Sequence, residues 1–135
     1  MRRIGAAVLV ALASACSPGS DVPVATAAAD NFHKQLNAGA FDAIYADSDR
    51  LMKNATPAKS LTSFLTQVHA QLGDFQSAEA PGWNDQVTTN GHFVTLFYHS
   101  KYARGAAEEN FVFRLDGDHA SLVNYRLTTP GAPQT

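Results

Sequence analysis

The hydrophobic period of the chain changes at Gly73, and that change constrains the fold more than any other feature. Before it, apolar residues recur every three or four positions. Leu61, Phe64, Leu65, Val68 and Leu72 stand at i, i+3, i+4, i+7 and i+11, a single stripe of a helix that Gly73 ends. Thr56-Pro57 predicts its start, with Thr56 as N-cap and Pro57 in the first turn. Upstream, Ala28, Phe32 and Leu36 predict a helix over residues 24–38, stopped by Gly39. Phe41, Ile44 and Tyr45 share one face of a shorter helix. Residues 47–54 are polar and ambiguous.

After Gly73 the period is two. Strands are predicted over 74–80, 83–89, 92–102, 108–115 and 119–128. Asn90-Gly91 and Asp116-Gly117 are the hairpin turns, and 103–107 is a loop. Helices followed by hairpins define an α+β domain, with N-terminal helices on a curved antiparallel sheet of about four to five strands. In the long strand, Phe93, Thr95 and Phe97 alternate with Val94, Leu96 and Tyr98. Apolar residues on both faces predict a sheet covered on both, or curled round its contents. On the last strand, Ser121, Val123, Tyr125 and Leu127 are expected inward and Arg126 outward. Phe64 and Val68 are both expected to be buried against the sheet.

The chain's 135 residues allow one domain, expected over 24–128, with a Pro/Gly tail at 129–135 expected to be disordered. An apolar content of 45% excludes disorder for the body. Ten Lys plus Arg against 12 Asp plus Glu leave no basic cluster for phosphates, so no nucleic-acid partner is expected.

Residues 1–15 read as a signal peptide: a basic head (Arg2, Arg3), an uncharged run over 4–13 too short to span a bilayer, and the small residues Ala13-Ser14-Ala15. Cys16, the one cysteine, follows directly, with cleavage expected between Ala15 and Cys16. Leu12-Ala13-Ser14-Ala15-Cys16 resembles the lipobox of bacterial lipoproteins. That resemblance implies Cys16 as the new N-terminus, acylated (palmitate among its chains) and held in a membrane. The family usually has leucine where Ala13 stands. The other reading is ordinary cleavage at the same bond, leaving a free thiol. Ser17, where inner-membrane lipoproteins usually carry Asp, implies the outer membrane, with the domain facing the periplasm of the cell envelope. Residues 16–23, rich in Ser, Pro and Gly, are expected to be a flexible tether.

Ala38-Gly39-Ala40-Phe41, Leu72-Gly73, the run Asn110-Phe111-Val112-Phe113-Arg114-Leu115-Asp116-Gly117 and the segment Leu122-Val123-Asn124-Tyr125-Arg126-Leu127 carry a second resemblance. Together they resemble the ketosteroid-isomerase-like, or nuclear-transport-factor-type (cystatin-like), α+β cone. Within it they are most similar to small bacterial envelope domains of unknown function. Relatives often have Trp soon after the Asp-Gly turn, where this chain has His119-Ala120-Ser121. The resemblance implies a cavity between sheet and helices. Such folds host isomerases, dehydratases and many non-enzymes, so fold alone assigns no activity.

Motifs for chemistry are lacking. There is no phosphate-binding glycine loop and no nucleophile elbow. One cysteine excludes a cysteine zinc cluster. The five scattered histidines predict no metal site, and no cofactor is expected. Glu108-Glu109 diverge on a strand and are expected at a solvated edge. Tyr45 and Tyr125 are the candidate cavity-lining residues. Asp49, four residues after Tyr45, is a candidate acid, with Arg114, Asn124 and Arg126 as polar neighbours. The competing reading makes the tyrosines core aromatics and puts Asp49 on the surface. The function classes that follow are a non-enzymatic envelope module, either binding a small apolar ligand or an envelope protein or serving as a structural accessory near a larger assembly, and an isomerase- or lyase-type enzyme. No catalytic residue is assigned.

Overall fold

A computed structural model describes residues 20–130 of the chain. Residues 1–15, expected to be a signal peptide, Cys16, most of the stretch expected to be a tether and residues 131–135 lie outside the described residues.

Four helices precede five strands: α1 Val22–Asn37, α2 Phe41–Asp47, α3 Arg50–Ala55, α4 Ala58–Leu72, then β1 Phe75–Ala78, β2 Gly82–Thr88, β3 Gly91–Tyr102, β4 Gly105–Asp116 and β5 His119–Thr128. None of the described helices is long and apolar enough to cross a membrane. The helix α1 begins inside the stretch expected as tether, because Pro23 fits a first turn that needs no amide donor. Its buried face is Ala25, Ala29, Phe32, His33 and Leu36, one step round from the expected Ala28. The ambiguous stretch holds α3, capped by Asp49. Thr56 closes α3 instead of opening the next helix, and α4 is preceded by Pro57.

Leu61, Leu65, Val68 and Leu72 of α4 are buried as expected, but Phe64 is 37% exposed. Position 64 lies on the flank of the stripe, and its ring meets Tyr125 only at a distance, tilted by 59° with 6.1 Å between centroids. The helix ends firmly. Gly73 takes φ +73°, where an added Cβ would approach Ala103 Cβ to 3.0 Å. Arg104 then covers the last carbonyls. Its amide donates to Leu72 O at 2.8 Å, and its guanidinium donates to Gln71 O and Ala70 O. A cation there also opposes the negative end of the helix dipole.

The strands form one open antiparallel sheet, β1-β3-β4-β5, with β2 beside β1 along the same edge of β3. Tight two-residue turns, Ala103-Arg104 and Gly117-Asp118, join β3 to β4 and β4 to β5, so the expected loop at 103–107 shrinks and its end joins β4. Strand parity fixes what faces the helices. The inner row of β3 is Val94, Leu96, Tyr98, Ser100 and Tyr102. That of β4 is Ala107, Glu109, Phe111, Phe113 and Leu115. On β5 a bulge leaves Val123 without a partner opposite β4. It resets the parity, so Leu122 is buried with Tyr125, and Ser121 pairs with Arg114 on the other side. Tyr125 points inward and Arg126 is exposed, as expected.

The sheet is not covered on both faces: Phe97 is 48% exposed. The outer aromatics shield themselves locally. Phe93 and the Arg114 stem both lie over Gly91, and Phe97 lies beside Gly82. The core centres on Phe111, which is fully buried and packs against Phe32, Phe113, Tyr98 and Tyr125 with ring centroids 4.9–5.8 Å apart.

Candidate functional site

Glu109 is the most unusual residue of the core. It occupies an inner position of β4 between Ala107 and Phe111 and is 2% exposed. The expectation of a solvated edge therefore fails for Glu109, while its neighbour Glu108 is exposed. The physical reason is parity: any strand that turns Phe111 and Phe113 inward also turns Glu109 inward.

Four side chains meet the buried carboxylate. Oε1 accepts from Ser100 Oγ at 2.5 Å and from His33 Nε2 at 2.9 Å. Oε2 accepts from the hydroxyls of Tyr102 at 2.8 Å and Tyr125 at 2.5 Å. The donors come from α1, β3 and β5, so the cluster ties helix to sheet. Burial alone pushes the Glu109 carboxyl up, but the bond and charge of His33 and the bonds from Ser100 and Tyr125 outweigh it. Its pKa falls below the ordinary 4.5. Burial, and then the charge of Glu109, push the Tyr102 and Tyr125 phenols well up, while Tyr98 rises to about 12, again chiefly through burial. The His33 ring stacks on Phe75 at 3.6 Å, and its Nδ1 has no partner among the described residues.

A carboxylate offers about four lone-pair sites, and here all four are taken. Glu109 can order the core as an anion, but taking a substrate proton would require giving up a bond.

Asp49 forms a second cluster at the β5 edge. It caps α3, with Oδ1 accepting from the Leu51 amide at 2.9 Å. Oδ2 accepts from Arg114 Nε and Nη2 at 2.9 and 2.8 Å and from Ser121 Oγ at 2.7 Å. The Asp49 amide donates to Leu122 O at 2.8 Å. Burial raises the carboxyl, the Leu51 amide, Ser121 and Arg114 lower it, and the net shift is downward. Asp49 is 5% exposed, not a surface residue. It does not share a helix with Tyr45 either, because the chain is extended at Ser48.

The two candidate cavity-lining tyrosines instead have satisfied hydroxyls, as the competing core reading has them. Tyr45 donates to Thr56 O at 3.0 Å, fastening α2 to the end of α3. Tyr125 closes the core through Glu109. Neither lines the groove of about 360 Å³ between α1, α2 and the β4–β5 hairpin. That groove has a floor of Ala28, Phe32, Ile44, Phe113 and Leu122, with Asn31, Asp47 and His119 among its polar lining. Asn124 and Arg126 are exposed and join no cluster.

A family model described as a protein of unknown function, DUF3887, matches residues 29–122, well over half of the chain. The chain belongs to that family. The DUF3887 match runs from α1 into β5, so it contains His33, Ser100, Tyr102 and Glu109 together with Asp49 and Arg114, whereas Tyr125 lies just beyond it. No curated protein matches the chain.

Proposed function

We propose that this DUF3887 domain is a non-enzymatic binding module of the bacterial envelope. In this reading it is exported, held to a membrane through acyl chains on Cys16, and takes a small apolar ligand or an apolar segment of an envelope protein in the groove beside α1. One observation carries the binding reading: neither buried carboxylate cluster, that of Glu109 or that of Asp49, contributes a residue to the groove. The Glu109 carboxylate is saturated by His33, Ser100, Tyr102 and Tyr125 in the closed core. The groove instead offers an apolar floor with a few polar groups, the usual composition of a ligand site, and its volume falls at the lower end of the usual few hundred to 1,000 Å³. The cone-like resemblance of the sequence supports the same placement, since it implies a cavity between helices and sheet. The lipobox-like segment supports the anchor.

Native mass spectrometry of the protein isolated from its host, after delipidation, tests the binding reading. A retained apolar ligand or partner, lost in Ala28→Trp, is the expected result. An empty chain that also takes up no apolar probe sinks it. The anchor has its own test. Cys16→Ser should move the protein out of the membrane fraction, and a variant that pellets like the wild type overturns the lipidation. The isomerase- or lyase-type alternative requires Glu109 to reach a substrate, and a turnover abolished in a well-folded Glu109→Gln variant would favour it.

A further inference from the structure

We propose that Asp21, Asp85 and His92 form a binding site for one divalent transition-metal ion of the zinc type. Their side chains arrive from three places: the residue before α1, the middle of β2 and the start of β3. Each offers one ligand atom, and these atoms all lie within 4.8 Å of one another. His92 Nε2 is 3.6 Å from Asp21 Oδ2 and 2.5 Å from Asp85 Oδ1. Zinc bonds of about 2.0–2.2 Å in a tetrahedron hold ligand atoms roughly 3.3–3.6 Å apart. Asp21 already stands at that spacing from His92. Asp85 needs to withdraw by about 1 Å, within reach of a side-chain rotation.

Topology makes this convergence. Asp85 pairs with Val94, whose side chain faces the helices, and His92 lies on the same face two residues earlier. The hairpin therefore brings together two residues seven apart in sequence. The start of α1 then lays Asp21 across them.

Asp21 adds an independent observation. It is the N-cap of α1, where an aspartate ordinarily accepts from the first-turn amides. Its side chain makes no such bond, whereas Asp49 in the same position of α3 does. Its carboxylate is directed instead toward His92. The side chains of Asp21, His92 and Asp85 are 36%, 25% and 12% exposed, so the site is sheltered yet open to water for a fourth ligand. A metal-bound imidazole is neutral, and two carboxylates then balance a divalent charge. The imidazole favours zinc or a similar transition ion over calcium or magnesium, which prefer oxygen throughout. This site is separate from the groove and from the Glu109 cluster, and its occupation would pin the start of α1 to the sheet.

Calorimetric titration of zinc chloride tests the proposal, using the full chain with Cys16→Ser so that its one thiol supplies no ligand. The expected result is one ion per chain and a raised Tm. Asp21→Asn, Asp85→Asn and His92→Gln should each weaken binding more than about tenfold. Asp21→Asn keeps a good capping residue and serves as the variant least able to disturb the fold. His69→Gln, which removes the exposed His69–Asp74 pair at 2.7 Å, should leave binding unchanged. Cobalt in place of zinc should give the visible bands of a tetrahedral site, lost in His92→Gln. Wild-type binding weaker than about 100 μM, some 5–6 kcal/mol, overturns the site. So does unchanged binding in the three ligand variants, or an equal loss in His69→Gln.

Discussion

Glu109 and Asp49 are both buried carboxylates with every oxygen occupied, yet they are built differently. Glu109 sits in the middle of the sheet, and its donors are two tyrosines, a serine and a histidine, all side chains from distant elements. Asp49 sits at the edge of the sheet, and its donors are an arginine, a serine and the backbone amide two residues on. The edge cluster is a helix N-cap extended by an ion pair, and part of it would form in an isolated turn. The central cluster exists only when α1, β3, β4 and β5 have all assembled. Removing one partner should therefore hurt far more at Glu109 than at Asp49, because the orphaned donors at Glu109 have no route to water.

The largest expected effect follows directly. Glu109→Ala strands four donors in the core and should cost about 3–5 kcal/mol by chemical denaturation. That is a large part of the stability of a domain this size. Asp49→Ala should cost about 1–3 kcal/mol, one cap plus one partly exposed ion pair. Equal losses would break the comparison and mean that water reaches Glu109.

Acid titration sharpens it. Both carboxyls have folded pKa values below their ordinary 4.5 and 3.8. A lowered folded pKa gives stability that is complete above the ordinary value and is lost as pH falls through the folded one. Unfolding free energy should thus hold near neutrality and decline below about pH 4. Glu109→Gln should flatten that decline more than Asp49→Asn. On the alkaline side the sign reverses. Tyr98, Tyr102 and Tyr125 have raised pKa values, so their contribution is complete below about 10 and is lost above it. Absorbance at the phenolate band should show these three ionising late, together with unfolding.

Tyr125→Phe is gentler. It keeps the ring packed between Phe32 and Phe111 and deletes one of two hydroxyl donors to Oε2. A loss of about 1.5–3 kcal/mol is expected, the range for a bond to a charged group. A smaller loss would mean that Tyr102 alone satisfies that oxygen.

The two clusters also differ in how far the sequence announced them. Asp49 stands in a polar stretch where a capping aspartate is an ordinary reading, but Arg114 and Ser121 are 65 and 72 residues away and only the folded sheet edge supplies them. Glu109 carried a usable signal. Ala107, Glu109, Phe111, Phe113 and Leu115 alternate, so the strand that buries its phenylalanines buries the glutamate. The adjacent Glu108 masked that parity by making the pair look like a charged edge. The helix-to-strand switch at Gly73, the α4 stripe and all five strands were legible because each depends on local period. The β5 bulge was not, since nothing in Leu122-Val123-Asn124 marks the skipped residue and the reset appears only through pairing with β4.

The smallest effect belongs to Phe64, and it probes the boundary of the central cluster. Periodicity alone placed it in the core, where Phe→Ala costs about 3–5 kcal/mol. Its 37% exposure changes that expectation. A ring on the flank of α4 leaves a surface notch, not a sealed cavity, and water can fill it. Phe64→Ala should cost about 1 kcal/mol, while Leu65→Ala, one position round and fully buried, should cost about 2–5. The ring still lies beside Tyr125, which holds Glu109. If Phe64→Ala approached the Leu65 value and also raised the pH at which acid unfolding begins, its ring would be the seal that keeps water from the carboxylate. A loss near 1 kcal/mol with an unchanged acid limb would leave that sealing to the inner aromatics, Phe32 and Phe111, which pack on Tyr125 from within.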